Sequence, residues 1–158
     1  MLERLRQVAF LVKDLEDAKS LYGRYLGMET CHSEDLSRYG LQNAVLPAGN
    51  GTFIELLQPT TGDSSAARYL ERRGQGAHHI CLYSDDIDDD VKRLQDAGLQ
   101  LIVPATGSSD QEGGSRVAFF HPRGNLGFLL EIWQNMPVNG KHPEPPRGRG
   151  GDFTHLHH

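Results

Sequence analysis

Two stretches of the chain repeat one another, and the repeat limits the possible folds more than any other feature. "QVAFLVKDLEDAKSLYGRYLG" begins at Gln7 and "HICLYSDDIDDDVKRLQDAG" begins at His79. Each opens with a short apolar strand, carried by Val8, Phe10 and Val12 in one copy and by Ile80 and Leu82 in the other. An acidic helix start follows, Asp14-Leu15-Glu16-Asp17 and Asp86-Ile87-Asp88-Asp89, where carboxylates meet the positive end of the helix dipole. Leu15, Ala18, Leu21 and Tyr22 then recur at helical spacing, as do Ile87, Val91 and Leu94. Gly27 and Gly98 close the two runs, as glycine does where a helix ends in a left-handed residue.

The copies also finish alike, with "FIELLQP" from Phe53 and "FLLEIWQN" from Phe128. Each is an apolar strand interrupted by one carboxylate, Glu55 or Glu131. A buried carboxylate without a partner is costly enough that it takes up a proton instead, so each needs something to hold it. An offset of 72 residues carries Gln7 onto His79, and one of 76 carries Glu55 onto Glu131. Alternate residues of a strand share a face. Gln7 therefore lies with Ala9 and Leu11, Glu55 with Phe53 and Leu57, His79 with Cys81 and Tyr83, and Glu131 with Leu129 and Trp133. Singly, a His in an apolar strand is more often a hydrogen-bonded core residue, and a Glu more often pairs with an Arg. Matching positions in two repeats favour a shared site instead. His78 points to the opposite face by alternation and fits a structural role.

The expected fold class is α+β. Two βαβββ modules, about residues 5–60 and 77–134, pair by pseudo-twofold symmetry into a curved mixed sheet around a metal cleft. Gln7, Glu55, His79 and Glu131 then converge there. One imidazole, two carboxylates and an amide oxygen suit one divalent ion per chain, Zn, Ni, Co, Mn or Fe, better than a thiolate-seeking metal. Such an ion would neutralise both carboxylates.

Composition excludes several other classes. A chain of 158 residues with a formal charge of −5 has no basic cluster to bind nucleic acid. No apolar run approaches the roughly 18 residues of a membrane span, and the N-terminus lacks a signal-peptide core. Cys31 and Cys81 form neither a CxxC pair nor a disulfide framework, so the expected location is cytoplasmic. Residues 135–158, "NMPVNGKHPEPPRGRGGDFTHLHH", carry too little apolar surface to fold alone and read as a Pro/Gly/His-rich mobile tail or arm. Its histidines His155, His157 and His158 read as an ordinary terminus, and the "DDIDDD" run as a solvated helix start. No phosphate loop, dinucleotide fingerprint or nucleophile elbow is present.

The segments "VAFLVKDLEDAKSLYGRYLGME", "FIELLQPTTGDSS", "GQGAHHICLYSDDI" and "GGSRVAFFHPRGNLGFLLEI" resemble the vicinal oxygen chelate superfamily, most closely its methylmalonyl-CoA epimerases. The resemblance runs from about Leu5 to Trp133, and "FFHPRG" before the last strand is its most specific part. It implies paired βαβββ modules around a divalent metal and an epimerase or isomerase that moves a proton next to a carbonyl. The substrate would be an acyl-CoA thioester, a 2-keto compound or a polyhydroxylated ketone, and the protein a homodimer. Two positions depart from the epimerases. They have His where this chain has Gln7, although the zinc-type glyoxalase I enzymes resemble it there with a Gln, Glu, His, Glu ligand set. They also carry a second catalytic carboxylate where this chain has Asn43, which accepts no proton at neutral pH. The resemblance to glyoxalase I then assigns the proton transfer to Glu131. Asn43, His121 and Arg123 are expected at the substrate, the last two against an anionic part of it, although a turn with a solvent-exposed Arg reads equally well. The alternatives are a lyase, decarboxylase or oxygenase on the same scaffold, or a small-molecule binding or resistance protein.

Overall fold

Each repeat folds as a strand, a helix and three further strands, and capping residues set the helix limits. The computed structural model describes residues 1–106 and 114–137, the side chain of Arg38 excepted. The expected tail lies outside the described residues from 138 onward. By its internal contacts the chain forms two units, Gln7–His78 and Met1–Arg6 with the chain from His79 onward. No helix among the described residues is long and apolar enough to cross a membrane.

The unit Gln7–His78 takes up β1 (Leu2–Leu11) from Gln7 on, α1 (Leu15–Leu26), β2 (His32–Leu36), β3 (Leu41–Gly49) and β4 (Thr52–Pro59). Its strands lie in the order β2-β3-β4-β1. β1 runs parallel to β4, with Ala9 opposite Glu55, while β3 is antiparallel to both β4 and β2. A parallel pair needs a crossover, and α1 begins it. Asp14 caps α1 by accepting the Asp17 N–H at 2.9 Å, and Gly27 ends it at φ 64°. A further helix, α2 (Ser65–Arg73), leads from β4 toward the second repeat. The repeat gives no sign of α2. Its N-cap is Ser64, whose hydroxyl accepts the Ala67 N–H at 3.0 Å. Gly40, at φ +65°, permits a close approach there, because a Cβ would stand 2.8 Å from Thr61 Oγ1.

The other unit repeats this topology with β5 (Gly76–Ser84) from His79 on, α3 (Ile87–Asp96), β6 (Leu101–Thr106), β7 (Ser115–Phe120) and β8 (Leu129–Asn135). β5 is parallel to β8, and β7 is antiparallel to both β8 and β6. Asp86 caps α3. Each unit thus has the mixed sheet and the strand and helix order that the repeat predicts.

Strand alternation divides the side chains between two faces. One face of each sheet is apolar and covered by its crossover helix. Ala44, Leu46 and Leu56 pack against Val12, Leu15 and Tyr22 in one unit, and Ala118, Phe120, Leu130 and Ile132 pack against Ile87, Val91 and Leu94 in the other. The acidic run at the start of α3 is not all solvated. Asp90 points inward, fully buried, where it accepts from Ser84 Oγ and Arg93 at 2.7 Å each. The opposite face of each sheet carries the polar residues of the repeat.

Leu56 and Ile132 are both fully buried. Leu56→Ala and Ile132→Ala should each lower the unfolding free energy by about 2–5 kcal/mol in urea denaturation, through lost transfer energy and a residual cavity. Leu126, 93% exposed, should tolerate Ala within about 0.5 kcal/mol.

Candidate active site

Register places the carboxylate of each last strand beside the polar residue that opens each first strand. In the unit from His79 onward, Cys81 lies opposite Glu131 and His79 opposite Leu129, so His79 and Glu131 share a face one pleat apart. His79 Nε2 stands 3.1 Å from Glu131 Oε2, and both side chains are buried. Phe119, opposite Glu131 on β7, meets the His79 ring edge to face at 6.2 Å between centroids. Further along the same face, Cys81, Tyr83 and Trp133 form an apolar cluster with Val117.

A buried cation completes this half. Arg6 is 4% exposed, and its guanidinium lies 3.9 Å from the centre of the Trp133 ring and 6.0 Å from that of Tyr83. Arg4 stands over Tyr83 at 5.2 Å. Such stacking keeps a cation inside the protein through the ring quadrupole. Burial pushes the Glu131 carboxyl up, but the His79 hydrogen bond and charge, the Arg6 charge and the Cys81 thiol outweigh it. The net effect holds Glu131 below its ordinary value, as a carboxylate.

In the unit Gln7–His78, Glu55 lies opposite Ala9 on β1 and Val45 on β3. Two side-chain amides hold it. Gln7 Nε2 donates to Glu55 Oε1 at 3.4 Å, and Asn43 Nδ2 donates to Glu55 Oε2 at 3.2 Å. Asn43 Oδ1 accepts the main-chain N–H of Glu34 at 2.9 Å. Both polar ends of Asn43 therefore face protein groups.

The expected ligands thus come together as two pairs, Gln7 with Glu55 and His79 with Glu131. Among the described residues, no group of three His, Cys, Asp or Glu side chains that could hold a metal ion is present. The donor chemistry still fits a divalent ion. His79 turns Nε2 to Glu131, both Glu55 oxygens point at neutral donors, and an amide such as Gln7 ligates through oxygen. His121 and Arg123 lie in the turn between β7 and β8, where the exposed Arg123 donates its main-chain N–H to His121 Nδ1 at 2.9 Å. His78 stacks edge-on against Tyr69 of α2 at 5.4 Å. Sequence reasoning missed Arg6. Its one signal is an arginine inside the alternating "RLRQVAF" strand, where a solvent-facing residue reads the same way.

A family model described as the glyoxalase/bleomycin resistance protein/dioxygenase superfamily matches residues 6–119. The chain is 36% identical over 138 residues to the ethylmalonyl-CoA/methylmalonyl-CoA epimerase of Cereibacter sphaeroides, covering 85% of this chain and 99% of that protein. It is 32% identical over 145 residues to the uncharacterized protein YqjC of Bacillus subtilis, covering 90% and 99%. Among solved structures, a variant of the Streptomyces coelicolor methylmalonyl-CoA epimerase in complex with 2-nitronate-propionyl-CoA matches with a TM-score of 0.75. That match has 28% identity and covers 85% of this chain and 98% of the other. These likenesses bear out an epimerase fold and the reading of the chain as an enzyme of the acyl-CoA epimerase type. With its repeated βαβββ units and a family match across most of its length, the chain belongs to the glyoxalase/bleomycin resistance protein/dioxygenase superfamily.

Proposed function

We propose that the protein is a metal-dependent epimerase that moves the proton on the carbon next to the carbonyl of an acyl-CoA thioester, of the methylmalonyl-CoA kind. The observation that carries this reading is the buried His79–Glu131 pair at 3.1 Å, in a chain 36% identical to an ethylmalonyl-CoA/methylmalonyl-CoA epimerase. In this reading Gln7, Glu55, His79 and Glu131 hold one divalent ion, Zn, Ni, Co, Mn or Fe. When bound, that ion supplies Lewis-acid stabilisation of the charge growing on the carbonyl oxygen, worth several kcal/mol.

The remaining work falls to side chains. Glu131 takes the α-proton onto a carboxylate oxygen while the C–H electron pair moves toward the thioester oxygen. Once the planar enolate has turned its other face to the carboxylate, Glu131 returns a proton to that opposite face as the carbonyl reforms. Its ionised state suits it to accept, and His79 orients it. Phe119, Trp133 and Leu129 share the face of Glu131 and limit water around it. With Asn43 at the place of a second base, both proton movements rest on the carboxylates of the ligand set, Glu131 first. His121 and Arg123 would meet an anionic part of the substrate. The expected assembly is a homodimer, supported by the exposed apolar residues Ile102 and Val103 on β6, the edge strand of its unit's sheet.

Two measurements test this function. Elemental analysis of protein purified without added metal should find about one divalent ion more per chain in the wild type than in His79→Ala. The histidines near the C-terminus are common to both, so equal occupancy would remove the metal site. Glu131→Gln, nearly isosteric, should keep the unfolding midpoint within a few degrees and lower the epimerisation rate of methylmalonyl-CoA by roughly 10²–10⁴. A rate within about threefold of wild type would assign the base elsewhere.

A further inference from the structure

Asn43 stands where the resembling epimerases carry a carboxylate, and its surroundings give it a different task. It sits on β3 opposite Glu34 of β2 and Leu57 of β4, while Val45, two residues on, lies opposite Glu55. Asn43 is therefore the diagonal neighbour of Glu55 on one sheet face, within reach of a side chain of its length. It is buried, with 5% exposure. Its main chain is anchored as well, because Ser33 Oγ donates to the Asn43 carbonyl at 2.7 Å.

The two partners of the side chain are of opposite kind. The Glu34 main-chain N–H can only donate, and the Glu55 carboxylate can only accept. An amide meets both at once, and in one orientation: Oδ1 toward Glu34 and Nδ2 toward Glu55. An aspartate would satisfy Glu34 but set a second carboxylate against Glu55. A leucine would satisfy neither. Gln7 supplies the matching contact on the other oxygen, so each oxygen of Glu55 receives an amide N–H.

We propose that Asn43 is a positioning residue that, with Gln7, clamps the Glu55 carboxylate in a fixed orientation. Amide donors do not release their protons across the neutral range. A carboxylate tethered through both oxygens is suited to hold its place and poorly suited to shuttle a proton. The clamp thus separates the roles of the two strand carboxylates, Glu55 as the stationary one and Glu131 as the proton carrier. That division of labour rests on the metal-dependent reading given above, whereas the clamp does not.

Reversing the polarity of the pair tests it. The full chain, stripped of metal, is unfolded in urea as wild type, N43D and N43D/E55Q. N43D should lower the midpoint, because two carboxylates then face each other. N43D/E55Q should recover most of the loss, because a carboxylate at position 43 accepts from both Glu34 and an amide at position 55. An N43D chain that fails to fold supports the clamp if N43D/E55Q folds. A midpoint for N43D equal to wild type, or a double variant no better than N43D, overturns it. Titration with Co²⁺ gives the functional readout, and N43L, which removes both side-chain contacts without adding a charge, should bind about 10–100-fold more weakly than wild type. Equal Co²⁺ affinity in the two proteins overturns the positioning role. A wild type that binds no Co²⁺ overturns the metal reading, and the polarity reversal then decides the clamp by itself.

Discussion

A carboxylate in the middle of a β-strand must be met by a donor or a cation, and much of this structure follows from meeting that need twice. Ionised groups cost several kcal/mol to bury alone, so Glu55 and Glu131 place demands on their neighbours. Glu131 is met by His79 on the adjacent parallel strand, with Arg6 adding charge. Glu55 is met by the amides of Gln7 and Asn43. The parallel pairing of first and last strands makes both solutions possible, because it brings residues far apart in sequence onto one face. A crossover connection between those strands is then obligatory, and its helix covers the opposite, apolar face.

The two carboxylates are held by different chemistry, and the difference bears on function. Neutral amides meet Glu55 at both of its oxygens. Glu131 answers to an imidazole and to a guanidinium kept among aromatic rings instead of in water. A cation–π contact of a buried arginine contributes on the order of 2 kcal/mol and leaves its charge acting on the surroundings. The environment of Glu131 thus keeps its carboxylate ionised beside apolar walls, in the state that can accept a proton.

Much of this was readable from sequence, for a physical reason. Strand parity and helix spacing are local, so the apolar faces, the caps at Asp14 and Asp86 and the stop at Gly27 follow from a few neighbouring residues. The repeat added long-range information by placing Gln7 with His79 and Glu55 with Glu131 in equivalent positions. What stayed hidden depends on contacts that no period encodes. Arg6 reads as a surface residue until Trp133, far along the chain, comes to lie beneath it. Asp90 reads as one more acid of a solvated helix start, until Ser84 and Arg93 close over it. Asn43 reads as a missing base. Only the strand register shows that a donor and an acceptor are both needed at that point.

The claim on which the rest turns is that this chain breaks and remakes a C–H bond next to a thioester carbonyl. Wild-type protein with divalent metal is incubated with methylmalonyl-CoA in D₂O, and the α-hydrogen is followed by proton NMR as the epimers interconvert. The expected result is loss of the α-hydrogen signal to deuterium, at a rate proportional to enzyme and far above that of the thioester alone. Tight binding of the thioester, measured on the same sample, with the α-hydrogen retained at the uncatalysed rate would contradict it.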